Sequence, residues 1–90
     1  MAQAAVRIKI MPSSPDVNLD EIEKKARKEL EKLGAQIVRV DREPIAFGIN
    51  AIIILFGIDE MAPQDPIENA LRKILNVNSA EIIDFRRAFG

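Results

Sequence analysis

Ninety residues, 48% of them hydrophobic, suffice for one small domain around one packed core. A net charge of −1 argues against a protein held to nucleic acid by bulk charge. The absence of cysteine excludes disulfides, zinc–thiolate sites and thiol catalysis, and the absence of histidine removes the commonest general base and the commonest transition-metal ligand.

In chain order, Ala5 to Met11 alternates, with Val6, Ile8 and Ile10 on one face and Arg7 and Lys9 on the other. That is the pattern of a half-buried strand. "PSSPD" ends it, with Pro12 and Pro15 as breakers. Asn18 followed by Glu21 has the spacing of a capping box. A helix from Leu19 to Leu33 is expected, burying Leu19, Ile22, Ala26, Leu30 and Leu33. On its wet side Asp20–Lys24, Glu21–Lys25 and Glu23–Arg27 are spaced as i,i+4 ion pairs, and Gly34 supplies the stop. Ala35 to Glu43 alternates again, with Val38 and Val40 on one face. Ile49 to Ile58 is apolar on both faces, as a central strand is. Asp65-Pro66 opens a second helix, with Asp65 as N-cap, Pro66 at N1 and Glu68 at N3. Ile67, Ala70, Leu71, Ile74 and Leu75 would form its buried face. "SAEIIDFRRAFG" holds a last strand through Ile83 and Phe85 that runs into Arg86 and Arg87.

The order strand, helix, strand, strand, helix, strand is most economically folded as an α+β, ferredoxin-like βαββαβ unit over residues 1–90. Both helices then lie on one face of a four-stranded antiparallel sheet, and right-handed crossovers place the first and third strands in its centre. No catalytic constellation accompanies this fold. The glycines are scattered at positions 34, 48, 57 and 90, so no phosphate-cradling loop exists. Asp59, Glu60 and Asp65 could crowd a cation, but a solvated loop with helix caps accounts for them. No cofactor and no metal are expected. The N-terminal segment lacks the apolar core of a signal peptide, and the longest apolar run, Ala51 to Phe56, is too short to span a bilayer. A cytoplasmic protein is expected.

One stretch, "REPIAFGINAI", resists a purely structural reading, because Phe47 stands at a bend between Pro44 and Gly48. From the pattern alone the ring folds back and caps the core. The other reading is a knob, an aromatic ring on a rigid bend offered to a partner. "MPSSPDVNLDEIEKKARKEL", "REPIAFGINAI" and "VNSAEIIDFRRAFG" together resemble the archaeal elongation factor 1-beta family and, more distantly, the exchange domain of the eukaryotic beta subunit. The resemblance covers essentially the whole chain, and "EPIAFGI" is its strongest piece.

The resemblance implies a guanine-nucleotide exchange factor for elongation factor 1-alpha, binding the GDP-bound and nucleotide-free forms of that GTPase, with no membrane and no direct nucleic-acid contact. It implies that Phe47, flanked by Pro44 and Gly48, enters the partner's G domain. It also implies that Arg87, next to Arg86, takes the place of a lysine that intrudes on the partner's magnesium site. Arginine is planar, bulkier and permanently charged, so Arg87 departs from that pattern, as does the tail with Phe89. In the expected topology the bend and the C-terminus lie at opposite ends of a strand about 26 Å long, so a single interface must run along the sheet to reach both. Two rivals share the topology. An RNA-recognition motif would need stacking aromatics on its central strands, where Phe56 is the one candidate. A ligand-sensing regulatory module would be expected to dimerise or to be fused to an enzyme.

Overall fold

The structure, a computed structural model, describes residues 2–87. Its elements are β1 (Gln3–Pro12), α1 (Leu19–Lys32), β2 (Gln36–Pro44), β3 (Asn50–Asp59), α2 (Gln64–Arg72) and β4 (Val77–Arg87). The sheet order is β2-β3-β1-β4 and every neighbouring pair is antiparallel. This is the expected ferredoxin-like arrangement, with β1 and β3 central. Alternation decides the two faces. Val6, Ile8 and Ile10 of β1 and Ile52, Ile54 and Phe56 of β3 are fully buried against the helices. Ile22, Ala26 and Leu30 of α1 and Ile67 and Leu71 of α2 close the same core. Among the described residues no polar or charged side chain is buried.

Helix α1 starts and stops as its sequence dictates. The Asn18 side chain accepts from the Asp20 and Glu21 amides at 3.0 and 3.4 Å. At the other end the Gly34 amide donates to the Glu31 carbonyl and the Ala35 amide to the Leu30 carbonyl, both at 3.0 Å. This paired arrangement needs a left-handed residue after the last turn, and Gly34 supplies it at φ 91°.

Helix α2 departs from expectation at both ends. It begins at Gln64 with Pro63 as its N-cap, so Asp65 lies within the first turn and makes no capping bond. Pro66 is tolerated there because first-turn amides have no helical acceptor. The helix ends at Arg72 with Lys73 as its cap, before the apolar stripe runs out. Ile74 still turns inward, but Leu75 falls outside the helix and is 71% exposed. Leu33, placed inside by the pattern of α1, is 39% exposed, as the cap residue of a helix that has just ended.

Candidate partner-docking site

The antiparallel register assigns each functional candidate to an end of the sheet. Pro44 pairs with Asn50, so the β2–β3 hairpin closes at the end where β1 reaches Pro12. Arg87 pairs with Ala4 at the opposite end. The molecule is 41 Å along its longest axis, and Phe47 and Arg87 are not brought together. The two ends expected from the topology are therefore the two ends observed.

The hairpin tip is a β-turn over Ala46–Ile49, closed by the Ile49 amide on the Ala46 carbonyl at 2.9 Å. Phe47 has φ 55° and Gly48 φ 76°, the signs of a type I′ turn at both central positions. Glycine adopts such a φ freely, whereas phenylalanine there is strained by about 1–3 kcal/mol. The ring is 94% exposed. It does not cap the core, and the pattern-based expectation that it folds inward is overturned. Gly48 packs toward Pro15 of the β1–α1 loop, where an added Cβ would lie 3.8 Å from the Pro15 Cβ.

The base of the hairpin is gripped from both sides. On the helix side, Arg42 donates to Asp20 and Glu23 of α1 at 2.8 and 3.0 Å. These bonds raise its guanidinium pKa above an already high value. On the open side, Lys9 pairs with Glu43 at 3.3 Å, spanning β1 and β2 across β3. The sequence suggested that Asp20 would pair with Lys24. Arg42 takes it instead, while the Glu23–Arg27 pair forms at 3.3 Å.

At the far end both arginines have carboxylate neighbours. Arg87 approaches Glu60 at 3.7 Å and Arg86 approaches Asp84 at 3.1 Å, and both guanidiniums are well exposed. Such pairs are weak in water and exchange readily for a partner's carboxylate or phosphate. Phe89 lies outside the described residues. Asp59 is occupied by the Met61 amide at 2.9 Å and Glu60 by Arg87, and no group of three metal-ligating side chains occurs among the described residues. The remaining surprise is Glu68. It is not the N3 residue of a cap but accepts the Ile82 amide of β4 at 2.8 Å.

The open face of the sheet mixes Arg7, Lys9 and Arg39 with Asp41, Glu43, Glu81 and Asp84, and Ile53 and Leu55 are half-buried between them. Phe56, the candidate stacking residue of an RNA-recognition motif, is fully buried on the helix side. Bases could not reach it. Among the described residues, no helix is long and apolar enough to cross a membrane.

Comparison with known proteins specifies the class. Residues 5–88 match the family model of the EF-1 guanine nucleotide exchange domain. The chain is 40% identical over 85 residues to elongation factor 1-beta of Methanocaldococcus jannaschii, covering 93% of this chain and 96% of that protein. The Thermococcus kodakarensis elongation factor 1-beta is 45% identical over 78 residues, covering 83% and 84%. That of Natronomonas pharaonis is 38% identical over 88 residues, covering 97% and 99%. The chain belongs to the archaeal elongation factor 1-beta family, whose domain exchanges guanine nucleotide. The RNA-binding alternative finds no support in these matches.

Proposed function

We infer that this chain releases GDP from elongation factor 1-alpha and lets GTP load during translation elongation, acting on the GDP-bound and nucleotide-free forms in the cytoplasm. The single observation that carries the residue-level reading is Phe47, an exposed ring held at positive φ on a hairpin gripped from both sides. A rigid aromatic loses little entropy on docking, which is what an interface anchor requires. Pro44 and Gly48 set the bend. Arg87 and Arg86 supply the cationic end, and Arg87 competes with magnesium or pairs with a carboxylate at the nucleotide site.

No proton transfer or nucleophile is needed. A GTPase holds GDP through its phosphate loop, magnesium and ordered switch segments. A protein that binds the nucleotide-free form best weakens nucleotide binding by the same factor, since linkage is reciprocal. Each tenfold loss corresponds to about 1.4 kcal/mol, so one buried ring and one placed cation could supply several such factors. A partner gripping both ends must lie along the 41 Å axis, which an interface of about 800 Å² per partner allows.

The test is release of fluorescent GDP from archaeal elongation factor 1-alpha, chased with excess GTP, with and without substoichiometric amounts of this protein. Acceleration that folded Phe47→Ala abolishes supports the reading. No acceleration by the folded wild-type chain defeats it.

A further inference from the structure

We propose that Glu68 is a positioning residue that fixes Arg87 for exchange by locking the bulge in β4, a proposal that rests on the role given to Arg87 above. The ladder between β1 and β4 slips by one residue between Arg7–Asp84 and Ile8–Ile82, leaving Ile83 as the extra residue. Side chains alternate with period two, so this one residue decides the face of everything after it. With the bulge in place, Phe85 opposes the buried Val6 and packs against the core, Arg86 opposes the exposed Ala5, and Arg87 opposes the buried Ala4. Arg87 therefore emerges on the helix side, beside Glu60 at the end of β3. Without the extra residue Asp84 would turn inward, Phe85 outward, and the two arginines would exchange faces.

Beside the bulge, on the edge strand of the sheet, Glu68 supplies an acceptor from α2. Its Oε2 accepts the Ile82 amide at 2.8 Å, while its Oε1 lies 3.6 Å from the Arg72 guanidinium one turn along α2. The Glu68 side chain is only 21% exposed, so little water replaces it when it is removed. A charged acceptor on a half-buried amide is among the stronger single hydrogen bonds in such a fold. It ties α2 to β4 five residues before Arg87, on a strand whose one ladder partner is β1.

The experiment compares wild type, Glu68→Ala, Glu68→Gln, Arg87→Ala and Glu68→Ala/Arg87→Ala in the GDP-release assay on elongation factor 1-alpha. Circular dichroism confirms folding, and amide exchange at Ile82 and Arg87 is followed by NMR. Glu68→Ala is expected to speed amide exchange from Ile82 to Arg87 and to lower the release rate about tenfold or more, the lower end of what loss of a charge-assisted bond corresponds to. Glu68→Gln keeps an oxygen acceptor and is expected to retain most activity. Adding Glu68→Ala to Arg87→Ala should cost nothing further, because both act through one guanidinium. A folded Glu68→Ala as active as wild type, while Arg87→Ala is impaired, overturns the proposal alone. So do losses that multiply in the double variant. An Arg87→Ala chain with wild-type activity removes the role of Arg87, and the proposal falls with it. A wild-type chain that releases no GDP removes the exchange reading itself. Should Glu68→Ala fail to fold, Glu68→Gln still decides through its Ile82 amide and its release rate: slow Ile82 exchange with full activity supports the lock, and slow Ile82 exchange with an Arg87→Ala-like rate refutes it.

Discussion

Replacing Phe47 with asparagine should stabilise the fold while removing its function. The argument rests on two numbers, φ 55° and 94% exposure. Left-handed backbone costs a β-carbon residue about 1–2 kcal/mol, and asparagine is among the few side chains that visit it readily. Burial offers little on the other side. Fully burying a phenylalanine is worth about 3 kcal/mol at most, and a ring this exposed realises only a few tenths of that. The expected balance for Phe47→Asn is therefore a gain of about 1 kcal/mol. In a chain of this size that raises the melting temperature by about 4–8 °C. Asparagine is a better choice than glycine, whose freedom in the unfolded chain would offset part of the gain. Thermal and urea unfolding would measure the change, and the GDP-release assay would run on the same protein. A loss of 1 kcal/mol or more would refute the reasoning. A ring packed on the core would lose about 3–5 kcal/mol on truncation to alanine, so even the sign separates knob from cap.

Asn18→Ala should lower stability by about 1 kcal/mol, because two first-turn amides of α1 lose their acceptor, and urea unfolding reads this directly. Leu75→Gln should change stability by no more than about 0.5 kcal/mol, since the residue lies outside α2 and faces water; a loss of 2 kcal/mol would mean the apolar stripe does continue through it. Arg42→Gln should cost less than about 1 kcal/mol, given how exposed the pair with Asp20 is, and the difference from wild type should shrink in molar salt.

The parts of this fold that are local in sequence were legible, and the parts that depend on distant partners were not. Period-two alternation marked β1, a doubly apolar run marked β3 as central, and Asn18 and Gly34 marked both ends of α1. In β2 the alternation puts Val38 and Val40 on one face, but the strand bulges between Ile37 and Arg39, so Ile37 and Val40 pack on the core while Val38 is 67% exposed. The start of α2 was misplaced because Asp65-Pro66 has the composition of a cap, yet a proline fits the first turn as well as its first position. The far end was misplaced because a helical stripe was extended one residue group too far, to Leu75. Asp20 was matched with Lys24 by its spacing, but Arg42, 22 residues away, offers a fork to Asp20 and Glu23 at once. Nothing local forecasts that. The same holds for Glu68, whose partner amide is 14 residues on, beside a bulge that hydropathy does not mark. Phe47 was ambiguous for another reason. An exposed phenylalanine and a buried one contribute equally to a hydropathy pattern, and only the backbone sign at the turn distinguishes them.

With Phe47 and Arg87 docking as proposed, the site's design follows from what docking must do in place of chemistry. Because linkage is reciprocal, the useful quantity is preference for the nucleotide-free partner, and every degree of freedom the exchange factor must freeze on docking subtracts from it. A flexible loop bearing Phe47 would lose much of its preference in that way. Here the loss is incurred during folding instead. The turn carries its strain in the free protein, between strands flanked by the Arg42 bonds on one face and the Glu43 pair on the other. At the opposite end the same logic applies to a charged side chain, since a surface guanidinium paired with Glu60 costs little to redirect, whereas the strand beneath it has to stay in register. The β2–β3 turn and the β4 bulge, the two irregular places in the sheet that bear on the site, are thus each flanked by a bond to a neighbouring helix, α1 through Arg42 and α2 through Glu68.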